Sequence, residues 1–178
     1  MTTRFKIFID MDGVLTDFNT RYTTLFGQTP NTTKSQSKKI YNKQWNTFVS
    51  SKQFATLDIL PLGIQILQYV NTLDNTQISI LTSAGGFERH REVQQQKLQW
   101  LDNHNIQYPA ITVPGRKYKA GFATPDSIIL DDTLDITTDF IKAGGQAIHI
   151  NKDTTIQLIS DTISLWTESS MMILPPDL

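Results

Sequence analysis

Three short apolar runs in this chain stop abruptly on residues able to do chemistry. Phe5, Ile7, Phe8 and Ile9 lead to Asp10 and Asp12, Ile78 to Leu81 lead to Thr82 and Ser83, and Ile128 to Leu130 lead to Asp131 and Asp132. The first run is apolar on both faces, which reads as a buried strand. Elsewhere the apolar spacing turns helical. Leu62, Ile66, Tyr69, Val70 and Leu73 share one helix face, and Glu92 to His104 reads as a second helix with Val93, Leu98 and Leu101 inward. Ile111 to Val113 and Ala147 to Ile150 read as further strands. Ile136, Phe140 and Ala143 mark a helix that stops at Gly144-Gly145, and Thr154 is expected to cap a last helix carrying Ile156, Ile159, Ile163 and Trp166. Strands alternating with helices predict an α/β, Rossmann-like parallel sheet with helices on both faces. Ligands of such sheets lie beyond the carboxyl ends of the strands. The acidic and hydroxyl clusters all fall at those ends, so they are expected to converge.

Residues 19 to 60 break this rhythm. They are rich in Thr, Ser, Gln, Asn and Lys, with scattered aromatics. Pro30 and Asn31 to Thr33 read as a loop, and Lys34 to Phe54 as one or two short helices carrying Ile40, Trp45, Phe48 and Val49. The expected division is a core domain of residues 1–18 and 61–178, with residues 19–60 as a small helical insert above the sheet. A chain of 178 residues, 39% hydrophobic and 19% charged, suits one soluble domain of this kind. A net charge of −1 supplies no global field toward nucleic acid or membranes, and no apolar run is long enough to span a bilayer. The absence of cysteine excludes disulfides, thiolate nucleophiles and thiolate metal sites. The first residues carry Arg4 and Lys6 and do not read as a signal peptide, so a cytoplasmic location is expected.

Asp10 and Asp12 lie one residue apart, just past a buried strand, so both should reach one pocket. Their mutual repulsion calls for a cation or a shared proton. A hard divalent ion with oxygen ligands fits, Asp131 and Asp132 add further oxygens, and magnesium suits a site with few carboxylates and a substrate phosphate. Thr82 and Ser83 supply a hydroxyl and backbone amides for phosphate oxygens, although Thr-Ser-Ala-Gly-Gly is also ordinary turn chemistry. Lys117 and Lys119, with Arg116 beside them, precede the Asp131-Asp132 strand. One of them in the pocket would neutralise phosphate charge; the other reading is a solvated basic loop.

Asp10-Met11-Asp12-Gly13-Val14-Leu15-Thr16 resembles the first motif of the haloacid dehalogenase (HAD) superfamily. Leu81-Thr82-Ser83 resembles its second, a lysine near 119 its third, and Leu130-Asp131-Asp132 its fourth. The resemblance spans about Arg4 to Ile150. It implies a HAD fold with a small helical cap, with Asp10 as the nucleophile that forms an aspartyl phosphate and Asp12 as the acid and base. It also implies magnesium held by the Asp10 side chain, the Asp12 backbone carbonyl and Asp131 or Asp132. Within the superfamily, Thr16-Asp17-Phe18 and the segment Phe54 to Gly63 are similar to 5'(3')-deoxyribonucleotidases. That similarity implies a nucleoside pocket including Phe18, with Trp45 and Phe48 matching by neighbourhood. One departure stands out: the family's arginine two residues before the third-motif lysine is Lys117 here, with Arg116 one further back.

The leading expectation is therefore a magnesium-dependent phosphatase of a small phosphate ester, a nucleoside monophosphate first. A sugar phosphate, a polynucleotide end, or a catalytically silent binding protein on the same scaffold are the alternatives. Near-neutral charge argues against a polynucleotide, intact acidic motifs argue against silence, and a homodimer is left open.

Overall fold

The computed structural model describes residues 5–172. Five parallel strands form one sheet: β1 (Phe5–Ile9), β2 (Thr76–Ser83), β3 (Ala110–Val113), β4 (Ser127–Asp131) and β5 (Gln146–His149), in the order β3-β2-β1-β4-β5. The chain steps outward from β1 to β3 on one side and then crosses to build β4 and β5 on the other. The crevice where these two paths part lies between β1 and β4, where an open α/β sheet binds its ligand. Ile9 pairs with Leu130, and the Asp10 N–H donates to the Leu130 carbonyl at 3.0 Å. The two acidic strand ends are therefore side by side.

Two apolar clusters cover the sheet. On one face, Ile7, Ile9, Ile78, Ile80, Ile128 and Leu130 pack with residues of α4 (Pro61–Val70), α5 (His90–Asn103) and α7 (Ile156–Met172). On the other, Phe8, Leu81 and Ile129 meet Ile136 and Phe140 of α6 (Leu134–Lys142), with Phe122 from the 3-10 segment Arg116–Phe122. Helices thus lie on both faces, as the alternation of patterns predicts. No helix among the described residues is long and apolar enough to cross a membrane.

Between β1 and α4 the chain forms α1 (Phe18–Phe26), α2 (Pro30–Gln36), α3 (Lys38–Ser50) and the 3-10 turn Gln53–Thr56. The loop expected at Pro30 is instead the start of α2. Thr29 caps it by accepting from the Thr32 N–H, and proline, which has no N–H to leave unpaired, suits the first turn. Two other expectations are corrected. Leu98 is exposed rather than inward. The last helix is capped by Thr155, whose Oγ1 accepts from the Leu158 N–H at 3.2 Å. Thr154 instead accepts from the Asn151 N–H in the preceding turn.

Candidate active site

The turn after β1 is built on one carbonyl. Met11 O accepts from the N–H groups of Val14, Leu15 and Thr16. Gly13 sits in it at φ +83°, and a Cβ there would lie 2.1 Å from Asp132 Oδ2. Only glycine lets this turn close against the second acidic strand end. The Asp10 carboxylate then faces back into the turn: its Oδ1 accepts from the Met11 N–H at 2.8 Å and from Lys119 Nζ at 2.8 Å.

Lys119 lies in the 3-10 segment, 1% exposed, and also donates to Asp131 Oδ2 at 2.6 Å. Burial works against its charge, but Asp10 and Asp131 outweigh burial and hold its pKa above the ordinary lysine value. Asp131 is fully buried and accepts a second bond from the Thr133 N–H at 2.9 Å. Asp132 accepts from the Thr133 hydroxyl at 3.2 Å, and its backbone carbonyl accepts from His149 Nε2 at 3.0 Å.

Oxygens of Asp10, Asp131 and Asp132 all lie within 4.8 Å of one another. Burial, then the charge of Asp10, raises Asp131 to about 6 against the pull of Lys119. Burial, then Asp10 and Asp131, raises Asp132 to about 7. Three crowded carboxylates, two of them raised well above the ordinary carboxylate value by burial and by one another, form a hard oxygen donor set. That set fits a divalent cation such as magnesium.

Above the carboxylates lies a cavity of about 640 Å³ lined by Asp10, Asp12 and Asp132 below and by Pro30, Asn31, Lys34, Tyr41 and Trp45 of α2 and α3 opposite. Phe18, Ser83, Arg116 and Lys119 also line it. Other residues expected at the site lie elsewhere. Asp131 is behind the wall, so Asp132 is the fourth-motif carboxylate on the cavity. Thr82 is buried behind Ser83. Phe48 does not reach the cavity: it is 0% exposed and packs edge-on against Phe18 and Phe54. Lys117 also misses it, exposed with its ammonium 5.3 Å from the Tyr118 ring centre; the preceding Arg116 is the cation at the rim.

Among the site neighbours absent from the sequence expectations, two hold Asp12. Thr16 donates from Oγ1 to Asp12 Oδ1 at 3.1 Å, and Lys97 of α5 donates to Asp12 Oδ2 at 2.7 Å. The signal for Lys97 was its position. It occupies the apolar stripe of Val93, Trp100 and Leu101, where a lysine is out of place unless it is paired.

No family model matches the sequence, and no curated protein sequence matches it significantly. Solved structures do align. A hydrolase from Streptococcus pneumoniae, 11% identical, aligns over 90% of this chain and 100% of its own with a TM-score of 0.52. A hydrolase from Pseudomonas syringae, also 11% identical, aligns over 88% of this chain and 89% of its own with a TM-score of 0.53. A HAD hydrolase of family IA from Entamoeba histolytica, 15% identical over 86% of each chain, reaches a TM-score of 0.47, too low to bear on the argument. The first two likenesses show one thing: this chain shares the α/β fold of those hydrolases.

Proposed function

We propose that the protein is a HAD-type phosphomonoester hydrolase that works through an aspartyl phosphate on Asp10. The carrying observation is the Asp10 carboxylate on the cavity floor, held by Lys119 and the Met11 N–H, beside a carboxylate cluster suited to magnesium. Magnesium held by Asp10 and Asp132, with Asp131 behind, would offset the charge of a substrate phosphate and of the carboxylates themselves. Asp10 attacks phosphorus through a carboxylate oxygen as the ester P–O bond breaks, and Asp12 gives the departing oxygen a proton. Asp12 then takes a proton from water as its oxygen attacks phosphorus, breaking the Asp10–phosphorus bond and releasing phosphate. Lys119 keeps Asp10 oriented throughout and stays charged.

Residues 19–60 act in this reading as a cap that chooses the leaving group. Trp45 and Tyr41, at ring centres 6.3 Å apart, line the same cavity as the carboxylates. A flat base placed there leaves its 5'-phosphate toward Asp10, which favours a nucleoside monophosphate. The test is a panel of nucleoside monophosphates, sugar phosphates and p-nitrophenyl phosphate, assayed with magnesium and with EDTA. Hydrolysis dependent on magnesium and fastest on nucleotides is expected. No hydrolysis of any monoester would overturn the phosphatase reading, and faster turnover of sugar phosphates would overturn the nucleotide reading alone.

A further inference from the structure

Lys97 takes no part in the steps above, yet its ammonium is fully engaged within a site it does not line. The side chain is 1% exposed. Its Nζ donates to Asp12 Oδ2 at 2.7 Å, to Thr82 Oγ1 at 2.7 Å and to the Ser83 carbonyl at 2.9 Å. The Phe54 ring, 5.2 Å from Nζ to its centre, lies close by. A buried ammonium needs its donors satisfied, and here all three are used on residues of the first and second motifs. The charge type decides what those partners can do. An ammonium has only donors, so Thr82 Oγ1 must accept, and its own proton is turned to another partner. Among the described residues no acceptor appears for that proton. Asp12 is gripped at both oxygens, Oδ2 by Lys97 and Oδ1 by Thr16, while its side chain keeps 26% exposure toward the cavity.

We propose that Lys97 is a positioning residue for the reaction. It holds the Asp12 carboxylate on the cavity wall for proton transfer. This rests on the phosphatase reading. A lysine that only filled and satisfied the core would affect every substrate alike; one acting through Asp12 matters most where the leaving oxygen needs a proton. The experiment compares Lys97→Met with the wild-type chain, in magnesium, on alkyl and nucleoside monophosphates and on p-nitrophenyl phosphate. The same pair is then compared in an Asp12→Asn background. Lys97→Met should lower kcat on the alkyl esters by about ten-fold or more, part of the roughly 10²–10⁴ that proton transfer supplies, and lower it much less on p-nitrophenyl phosphate. With Asp12→Asn present, that selective loss should vanish. If Lys97→Met does not fold, Lys97→Gln, which keeps a donor but not the charge, gives the same readout. Equal losses on all esters, persisting with Asp12→Asn, would overturn the positioning role alone. A wild-type chain inactive on every ester would overturn the phosphatase reading and this proposal with it.

Discussion

Gly13 joins the two halves of the site at a single atom. Its φ of +83° and the 2.1 Å approach of Asp132 Oδ2 to any added Cβ mean that Gly13→Ala must displace either the turn or Asp132. Such backbone strain costs about 1–3 kcal/mol, and turnover should fall at least ten-fold because Asp132 moves. A melting curve and a kcat measurement on one preparation check this; unchanged values for both would refute the close approach. Asp10→Asn preserves shape and the bond from the Met11 N–H while removing the proposed nucleophile, so turnover should drop to background with circular dichroism unaltered. Retained turnover would exclude the covalent route. At this scale Asp10, Asp12 and the Asp131-Asp132 pair were legible, because a buried strand that ends on carboxylates sets them at the rim of the sheet, where ligands bind. Lys97 was missed although it shares the stripe of Val93 and Leu101, because the adjacent Leu98 reads as the inward residue until the carboxylate facing Lys97 is known. The choice between Asp131 and Asp132 was likewise closed to sequence. It depends on which side chain Lys119 claims, and Lys119 claims Asp131.

The helices between β1 and α4 are held by a cluster of rings and by polar ties such as those of Arg21 to Gln53, Thr56 and Asp58. Phe18 lies within 6.2 Å, between ring centres, of Tyr22, Trp45, Phe48 and Phe54, stacked on the last at an interplanar angle of 5°. A ring so enclosed is core before it is pocket. Phe18→Ala should cost about 3–5 kcal/mol and depress the hydrolysis of all esters together. Trp45 is half-buried and lines the cavity. Trp45→Ala should therefore lower kcat/KM on nucleoside monophosphates about ten-fold, the scale of the roughly 1–3 kcal/mol for a base on an aromatic ring. It should spare p-nitrophenyl phosphate, and parallel losses on both substrates would put Trp45 with the core. The five strands were readable as apolar runs and the core helices from helical spacing, whereas α1 was not read from the sequence. Helix starts were less so: α2 begins at a proline that also signals a turn, and Thr154 and Thr155 offer the same hydroxyl to two different N–H groups. Leu98 misled because one face of α5 holds Gln96 and Lys97, polar residues buried by their partners.

In the whole molecule, parallel register concentrates charge: setting β1 beside β4 brings Asp10, Asp131 and Asp132 together whether or not a cation is present. This fixes an unusual pH response. Asp131 and Asp132 are raised from 3.8 to about 6 and about 7. Between these limits the folded chain holds protons that the unfolded chain releases, so unfolding becomes easier as pH increases. The stability these two groups contribute is fully present below pH 3.8 and is lost as pH rises through about 6 and 7. Most paired carboxylates act the other way. Glu92 is lowered by its hydrogen bonds from Arg89, so its contribution is lost only in acid. Lys119, raised above 10.5, changes nothing until strongly alkaline pH. Without metal, the melting temperature should therefore decline between about pH 4 and pH 7 and level off by pH 8. A divalent cation competes with those protons, so magnesium should raise the melting temperature more at pH 8 than at pH 5. Asp132→Asn should shrink both the decline and the magnesium shift, a readout independent of any substrate. The measurement is a set of melting curves in EDTA and in magnesium across that range for both chains. A magnesium shift equal at the two pH values, or undiminished by Asp132→Asn, would show that this carboxylate cluster is not where the cation binds.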